Sequence, residues 1–166
     1  MRHLTLTLVV VIVVLFTKDA NSSAAIILEV FDENVFVPKN GFREQGLRLH
    51  NHYRSLNKVS PLKLDHELNK LAHAHAEKLA SWNNLTASET GFDENLWSHR
   101  GELLPLAKDL EYAIRCWYTG STTPGRVQAS VDHFVLRSDS VTSVGFGVGT
   151  SEHNGEGYSV VVALYQ

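Results

Sequence analysis

The sequence predicts an α+β domain with its helices first and an antiparallel hairpin last. Two observations predict this. Apolar residues recur at helical spacing between residues 41 and 118, and they crowd at strand-like density between Val144 and Tyr165. Helices and strands do not alternate, which argues against a doubly wound α/β fold. A length of 166 residues suits one domain plus a tail or targeting segment, and an apolar fraction of 43% can supply a core.

Met1 to Ser22 reads as a secretory signal peptide. Arg2 and His3 give a positive start, Leu4 to Phe16 is almost unbroken apolar chain, and Ala20-Asn21-Ser22 offers small residues for cleavage. The apolar run is short of the ~20 residues that span a bilayer as a helix. An uncleaved membrane anchor is the alternative. Residues 23–40 form an N-terminal extension, rich in β-formers and read as a hairpin or a loosely held tail. Pro38-Lys39-Asn40-Gly41 closes it, and the domain proper is placed at 41–166.

Gly41 to Leu56 is expected to be helical, with Phe42, Leu49, Tyr53 and Leu56 as its apolar stripe. After a connector through Pro61, Asp65 caps a second helix, with Leu68, Leu71, Ala72, His75, Ala76 and Leu79 facing inward. Asn83 to Asp93 is a polar loop that contains the glycosylation sequon Asn84-Leu85-Thr86. Leu103 to Tyr118 is a third helix that buries Leu106, Leu110, Ala113, Ile114 and Trp117, with Pro105 in its first turn. Gly120 to Ser130 reads as a loop, and His133 to Arg137 as the opening of a strand. Val144 to Thr150 and Tyr158 to Tyr165 are strands joined through an Asn154-Gly155 turn.

The net charge of -3 offers no basic face for nucleic acid. Cys116, the only cysteine, has no partner for an internal disulfide and reads as a small hydrophobe on a helix. Nine histidines invite a metal reading. On a helix, however, residues two apart point about 200° apart, so His73 and His75 cannot share an ion. His73 and Glu77 share a face instead and are expected to form a solvated pair. In His50-Asn51-His52-Tyr53-Arg54, Tyr53 lies on the inner stripe and Arg54 is free to reach a carboxylate, and the segment reads as structural. Gly145-Phe146-Gly147-Val148-Gly149 lies within a strand and opens no helix, so it suggests close packing rather than a nucleotide loop. Ser151, in Gly-Thr-Ser-Glu-His, does not form a nucleophile elbow. Glu94 and His133 remain, as an acid–base pair or half of a zinc site.

Several segments then follow in a recognisable order. They are His50-Asn51-x-Tyr53-Arg54, Pro61-Leu62-Lys63-Leu64-Asp65, Leu68-x-x-x-Ala72-x-x-x-Ala76, Glu94-Asn95-Leu96, Trp117-Tyr118, Asp132-His133-Phe134 and Val144-Gly145-x-Gly147. Together they resemble the CAP superfamily (cysteine-rich secretory proteins, antigen 5 and pathogenesis-related proteins of group one) over about residues 42–165. In its lack of paired cysteines the chain is similar to the Golgi-associated branch, although that branch typically has no signal peptide. The resemblance implies a three-layer α-β-α sandwich around a central antiparallel sheet.

It also implies a cavity lined by two histidines and two glutamates that can hold zinc. Glu94 and His133 match two of these positions, with Asp93 and Asp132 replacing the neighbouring glycines. The other two positions fall on Ala87 and Gly120, which offer no ligand, and His99 is a substitute only by sequence proximity. The cavity is therefore expected to be degenerate, with no metal, no cofactor and no catalytic residue. Glu94 and Asn95 are expected to tie a loop to the sheet. The chain stops at Gln166, where the family continues into a turn, so the last strand is expected to be less well anchored or the chain cut short. The functional expectation is a secreted, non-enzymatic module that binds a lipid (sterol or fatty acid) or an extracellular protein, with no transmembrane span in the mature chain. The alternatives are a metal-dependent hydrolase using Glu94 and His133, and a protein displayed on a membrane by an uncleaved Leu4–Phe16 anchor.

Overall fold

A computed structural model describes residues 41–120, 127–130 and 133–166. The signal peptide and the N-terminal extension lie outside the described residues. The elements run α1 (Phe42–Leu56), β1 (Lys63–Leu64), α2 (His66–Trp82), β2 (Asp93–Gly101), α3 (Leu106–Thr119), β3 (Val127–Ser130), α4 (His133–Arg137), β4 (Ser143–His153) and β5 (Glu156–Tyr165). The five strands form one sheet in the order β1-β4-β5-β2-β3.

The sheet separates two apolar clusters, which makes three layers. Strand periodicity sends alternate residues to opposite faces. From β5, Tyr158, Val160, Val162 and Leu164 meet Leu68, Ala72, Ala76 and Leu79 of α2. Val161, Ala163 and Tyr165 face the other way, into a cluster with Phe42 of α1, Leu110, Ile114 and Trp117 of α3, and Val135 and Leu136 of α4. The expected α+β sandwich is therefore present. Its sheet is mixed rather than purely antiparallel, because the two-residue edge strand β1 runs parallel to β4.

The glycine run explains the contact between α2 and the sheet. A Cβ placed on Gly145, Gly147 or Gly149 would come within 2.1, 2.2 and 2.3 Å of backbone atoms at Leu68, Ala72 and Ala76. These glycines allow the helix backbone to lie directly on β4. Asp65 caps α2 as expected, accepting from the Leu68 N–H at 2.9 Å. Asn154 and Gly155 both take positive φ, 55° and 79°, as a tight hairpin turn between twisted strands requires.

Several expectations are corrected. In α1 the buried face is Phe42, Gly46, His50 and Arg54, and Leu56 is 62% exposed. Phe42, Leu49 and Tyr53 of the expected stripe do pack on the core, but polar residues take the innermost positions and Leu56 lies outside. Leu71 and Leu106 are also exposed. The hydrogen bonds of Arg54 go to backbone carbonyls, and the Asp139 carboxylate acts on it only through its charge. Arg54 is fully buried and donates to the carbonyls of Ser60, Val135, Ser138 and Val141. Helix α3 starts at Leu106, with Pro105 at the cap rather than in the first turn. The 120–130 loop contains β3, which pairs antiparallel with Leu96–His99 of β2. His133–Arg137 is a helix rather than a strand. The last strand is well anchored: the Gln166 carbonyl accepts from the Thr142 and Ser143 N–H groups, both at 2.8 Å.

Candidate functional site

Glu94 enters the sheet as the second residue of β2, opposite Leu164 of β5. This register points its side chain towards α2, the same side as Leu96. There it meets His75, with Nε2 and Oε2 4.0 Å apart. Both side chains are largely buried, at 12% and 13% exposed. The other carboxylate oxygen, Oε1, accepts from the Ser88 N–H at 2.7 Å. His75 Nε2 lies 3.2 Å from the Thr86 carbonyl, a contact that requires the proton on Nε2. Oε2 of Glu94 is buried with no hydrogen-bond partner.

The 83–92 loop is thus held at three points. The Arg100 guanidinium donates to the Asn83 carbonyl at 3.3 Å, His75 reaches Thr86, and Glu94 receives Ser88. Leu85 and Phe92 turn inward and pack on the α2 side of the core. Next to Glu94, Asn95 points to the opposite face and donates to the Tyr165 hydroxyl at 3.0 Å, in a fully buried setting. Together Glu94 and Asn95 connect a loop and the last strand to β2.

Among the described residues, the partners of Glu94 are His75 and Ser88 and none of the site residues anticipated from sequence. His133 opens α4, and its side chain lies outside the described residues. Val135 and Leu136 of α4 belong to the cluster on the other side of the sheet from Glu94. His99 does not replace a lost ligand. It is five residues from Glu94 on the same strand, an odd number, so it projects from the opposite face and stacks on Trp97 at 6.0 Å. Ala87 is exposed in the loop. Gly120 ends α3 in the left-handed conformation, φ 69°, a position that favours glycine over glutamate. Among the described residues, no three His, Cys, Asp or Glu side chains are grouped so as to hold a metal ion.

Sequence reasoning missed the meeting of His75 with Glu94. The available signal was the place of His75 on the inner face of α2, beside a glutamate-bearing segment that also had to reach that face. The expected His73–Glu77 pair forms at 3.5 Å on the exposed side of the helix.

Two other groups have clear structural uses. Ser151 Oγ donates to the Ala80 carbonyl at 2.6 Å and lies 3.0 Å from His153 Nε2. The hydroxyl proton is committed to the carbonyl at the end of α2, so the pair caps a helix and is not poised as nucleophile and base. Cys116 is partly buried on α3, and burial pushes its thiol above the usual range, with the Trp97 side chain offsetting part of the effect. That is the setting of an inert thiol. A cleft lined by Glu102, Leu103, Glu152 and Glu156 lies at the far end of β2 from Glu94.

The layer order and the loop-bound glutamate beside α2 define a small α-β-α sandwich domain. Its family follows from comparison: residues 47–165 match the model of the Cysteine-rich secretory protein (CAP) family, and the chain belongs to that family. Three solved structures are similar in fold. MpPR-1i is 23% identical, with 78% of this chain and 89% of that one covered and a TM-score of 0.55. NaASP2, solved with Zn2+, is 19% identical over 77% and 82% of the two chains, with a TM-score of 0.57. Hookworm Platelet Inhibitor is 18% identical over 78% and 71%, with a TM-score of 0.52. No curated protein matches the chain. Among the described residues, no helix is long and apolar enough to cross a membrane.

Proposed function

We propose that this protein is a secreted, non-enzymatic CAP-domain binding module whose metal cavity is degenerate. The observation that carries this reading is how Glu94 is used. One of its oxygens is committed to the Ser88 N–H, and the other faces an imidazole that is itself bonded to the Thr86 carbonyl. The carboxylate works as a clasp for the loop. The positions aligned with the remaining family ligands are an exposed alanine and a left-handed helix-capping glycine, so the family-matched set offers Glu94 and His133 alone. A catalytic zinc site uses about three protein ligands and an open position.

NaASP2 was solved with Zn2+, which makes zinc the metal to test. Calorimetric titration of the full chain with zinc should show no tight stoichiometric binding. Tight binding that His133→Ala abolishes would instead favour the metal-dependent hydrolase. Family membership supports a lipid or an extracellular protein as the partner. Of the lipids, a sterol and a fatty acid are the ones to test. One of the two, labelled, should be retained saturably at micromolar protein, and retention of neither would leave the protein partner. Secretion rests on the apolar Leu4–Phe16 run followed by small residues. N-terminal sequencing of secreted material should give a start near Ser23, whereas an intact Met1 end on membranes would favour the anchored form.

A further inference from the structure

We propose that Asn84 is an N-glycosylation site whose glycan stands on the loop that closes over Glu94. The proposal rests on the secretory reading, since Asn-x-Thr is glycosylated in the secretory pathway. The tripeptide is a pattern; the structure supplies the accessibility and the local geometry. Helix α2 ends at Trp82 and is capped by Asn83, which takes the left-handed conformation at φ 52°. The acceptor is therefore the first residue beyond the cap, in chain with no regular structure to unwind.

Asn84 and Thr86 are exposed, whereas Leu85 between them turns inward onto the core. The inward leucine fixes the outward direction of its neighbours. Asn84 Nδ2 donates to Thr86 Oγ1 at 3.1 Å, and Asn84 Oδ1 accepts from the Leu85 N–H at 2.8 Å. The threonine hydroxyl is thereby brought to the amide that is to be modified. In the transfer, Nδ2 forms a bond to C1 of a lipid-linked pyrophosphoryl oligosaccharide. The C1–oxygen bond breaks, the pyrophosphoryl lipid leaves with the electron pair, and Nδ2 gives up one proton. No oxidant or reductant is needed.

The position has a consequence for the site. Thr86 and Ser88, two and four residues on, carry the groups bonded to His75 and Glu94. A glycan at Asn84 thus roots on the outer wall of the Glu94 clasp, and a partner that approaches across this loop must accommodate it.

The test is expression of the full chain in a eukaryotic secretory host, followed by treatment of the secreted protein with a peptide N-glycosidase. One discrete step in mobility is expected, with conversion of Asn84 to aspartate seen by peptide mass spectrometry. Asn84→Gln and Thr86→Ala should each abolish the step, and Thr86→Ser should retain it. Secreted protein without a step, or a step that survives Asn84→Gln, overturns the proposal. The same chain behind a proven leader separates the two readings. Glycosylation behind that leader alone refutes secretion by the chain's own N-terminus and keeps the acceptor geometry. No glycosylation behind either leader refutes the acceptor.

Discussion

Arg54 shows how one side chain can organise several segments. Its guanidinium reaches back to Ser60, across to Val135 and Ser138 around α4, and on to Val141 before β4. The planar fork supplies donors in fixed directions that an ammonium cannot reproduce. Arg54→Ala should cost about 3–5 kcal/mol in urea unfolding, because it strands several buried carbonyls. Arg54→Lys should recover less than half of that. The sequence suggested a structural role for Arg54 with a carboxylate in reach, since charge complementarity is visible in a string of letters. The actual acceptors are backbone carbonyls of distant loops, which carry no residue signature. Glu94 makes a similar case at smaller scale. Glu94→Ala should speed amide hydrogen exchange at Ser88, and Glu94→Gln, which keeps an acceptor oxygen, should leave that amide protected. Equal exchange in the two variants would remove the clasp role.

At the scale of elements, the interface between α2 and β4 is the most demanding. Gly147 leaves no room for even a methyl group, because the Cβ would fall 2.2 Å from the Ala72 carbonyl carbon, and backbone cannot rotate away as a side chain can. Gly147→Ala should destabilise by about 3 kcal/mol through overpacking. Gly155→Ala, in open space at φ 79°, should cost about 1 kcal/mol from left-handed strain alone. Thermal unfolding of the two variants separates packing from backbone strain. Reversal of that order would mean that α2 does not lie directly on β4. The close packing of β4 was legible in the sequence, because alternate glycines in a strand have few other uses, but that α2 is the element packed there emerges only from the fold. Strand β3 was not legible: Val127–Ser130 is short and only half apolar, and its pairing with β2 is what makes it a strand. Helix α4 was missed for a related reason. Five residues are too few for helical and strand periods to separate, and the choice is made by the packing of Val135 and Leu136.

At the scale of the whole molecule, two buried groups among the described residues set an unusual dependence of stability on pH. His50 is fully buried between Phe146 and Tyr165, with neither ring nitrogen hydrogen-bonded. Burial, and secondarily the Arg54 charge, lowers its pKa to about 3. Between pH 6.5 and 3 the unfolded chain binds a proton at His50 and the folded protein does not, so acidification costs about 1.4 kcal/mol per pH unit. Asp109 is also fully buried, and burial raises its pKa to about 6, with the nearby Ser159 hydroxyl offsetting part of the shift. Between pH 6 and 3.8 the folded protein holds that proton and the unfolded chain does not, so acidification stabilises by a similar slope. The two slopes oppose each other over the shared window. Asp139, whose carboxylate is held below its usual range by the Ser60 N–H, contributes above pH 3.8 and is lost only below it. The wild-type protein should therefore show nearly constant unfolding free energy from pH 6 to 4 and lose stability below that. Asp109→Asn removes one arm of the balance, and its stability should fall by about 1.4 kcal/mol for each unit of acidification from pH 6 to 4. His50→Leu removes the other arm, and its stability should rise over the same range. Urea unfolding at half-unit pH steps measures all three profiles. Parallel profiles for the wild type and Asp109→Asn would mean that Asp109 is not held protonated beneath α3.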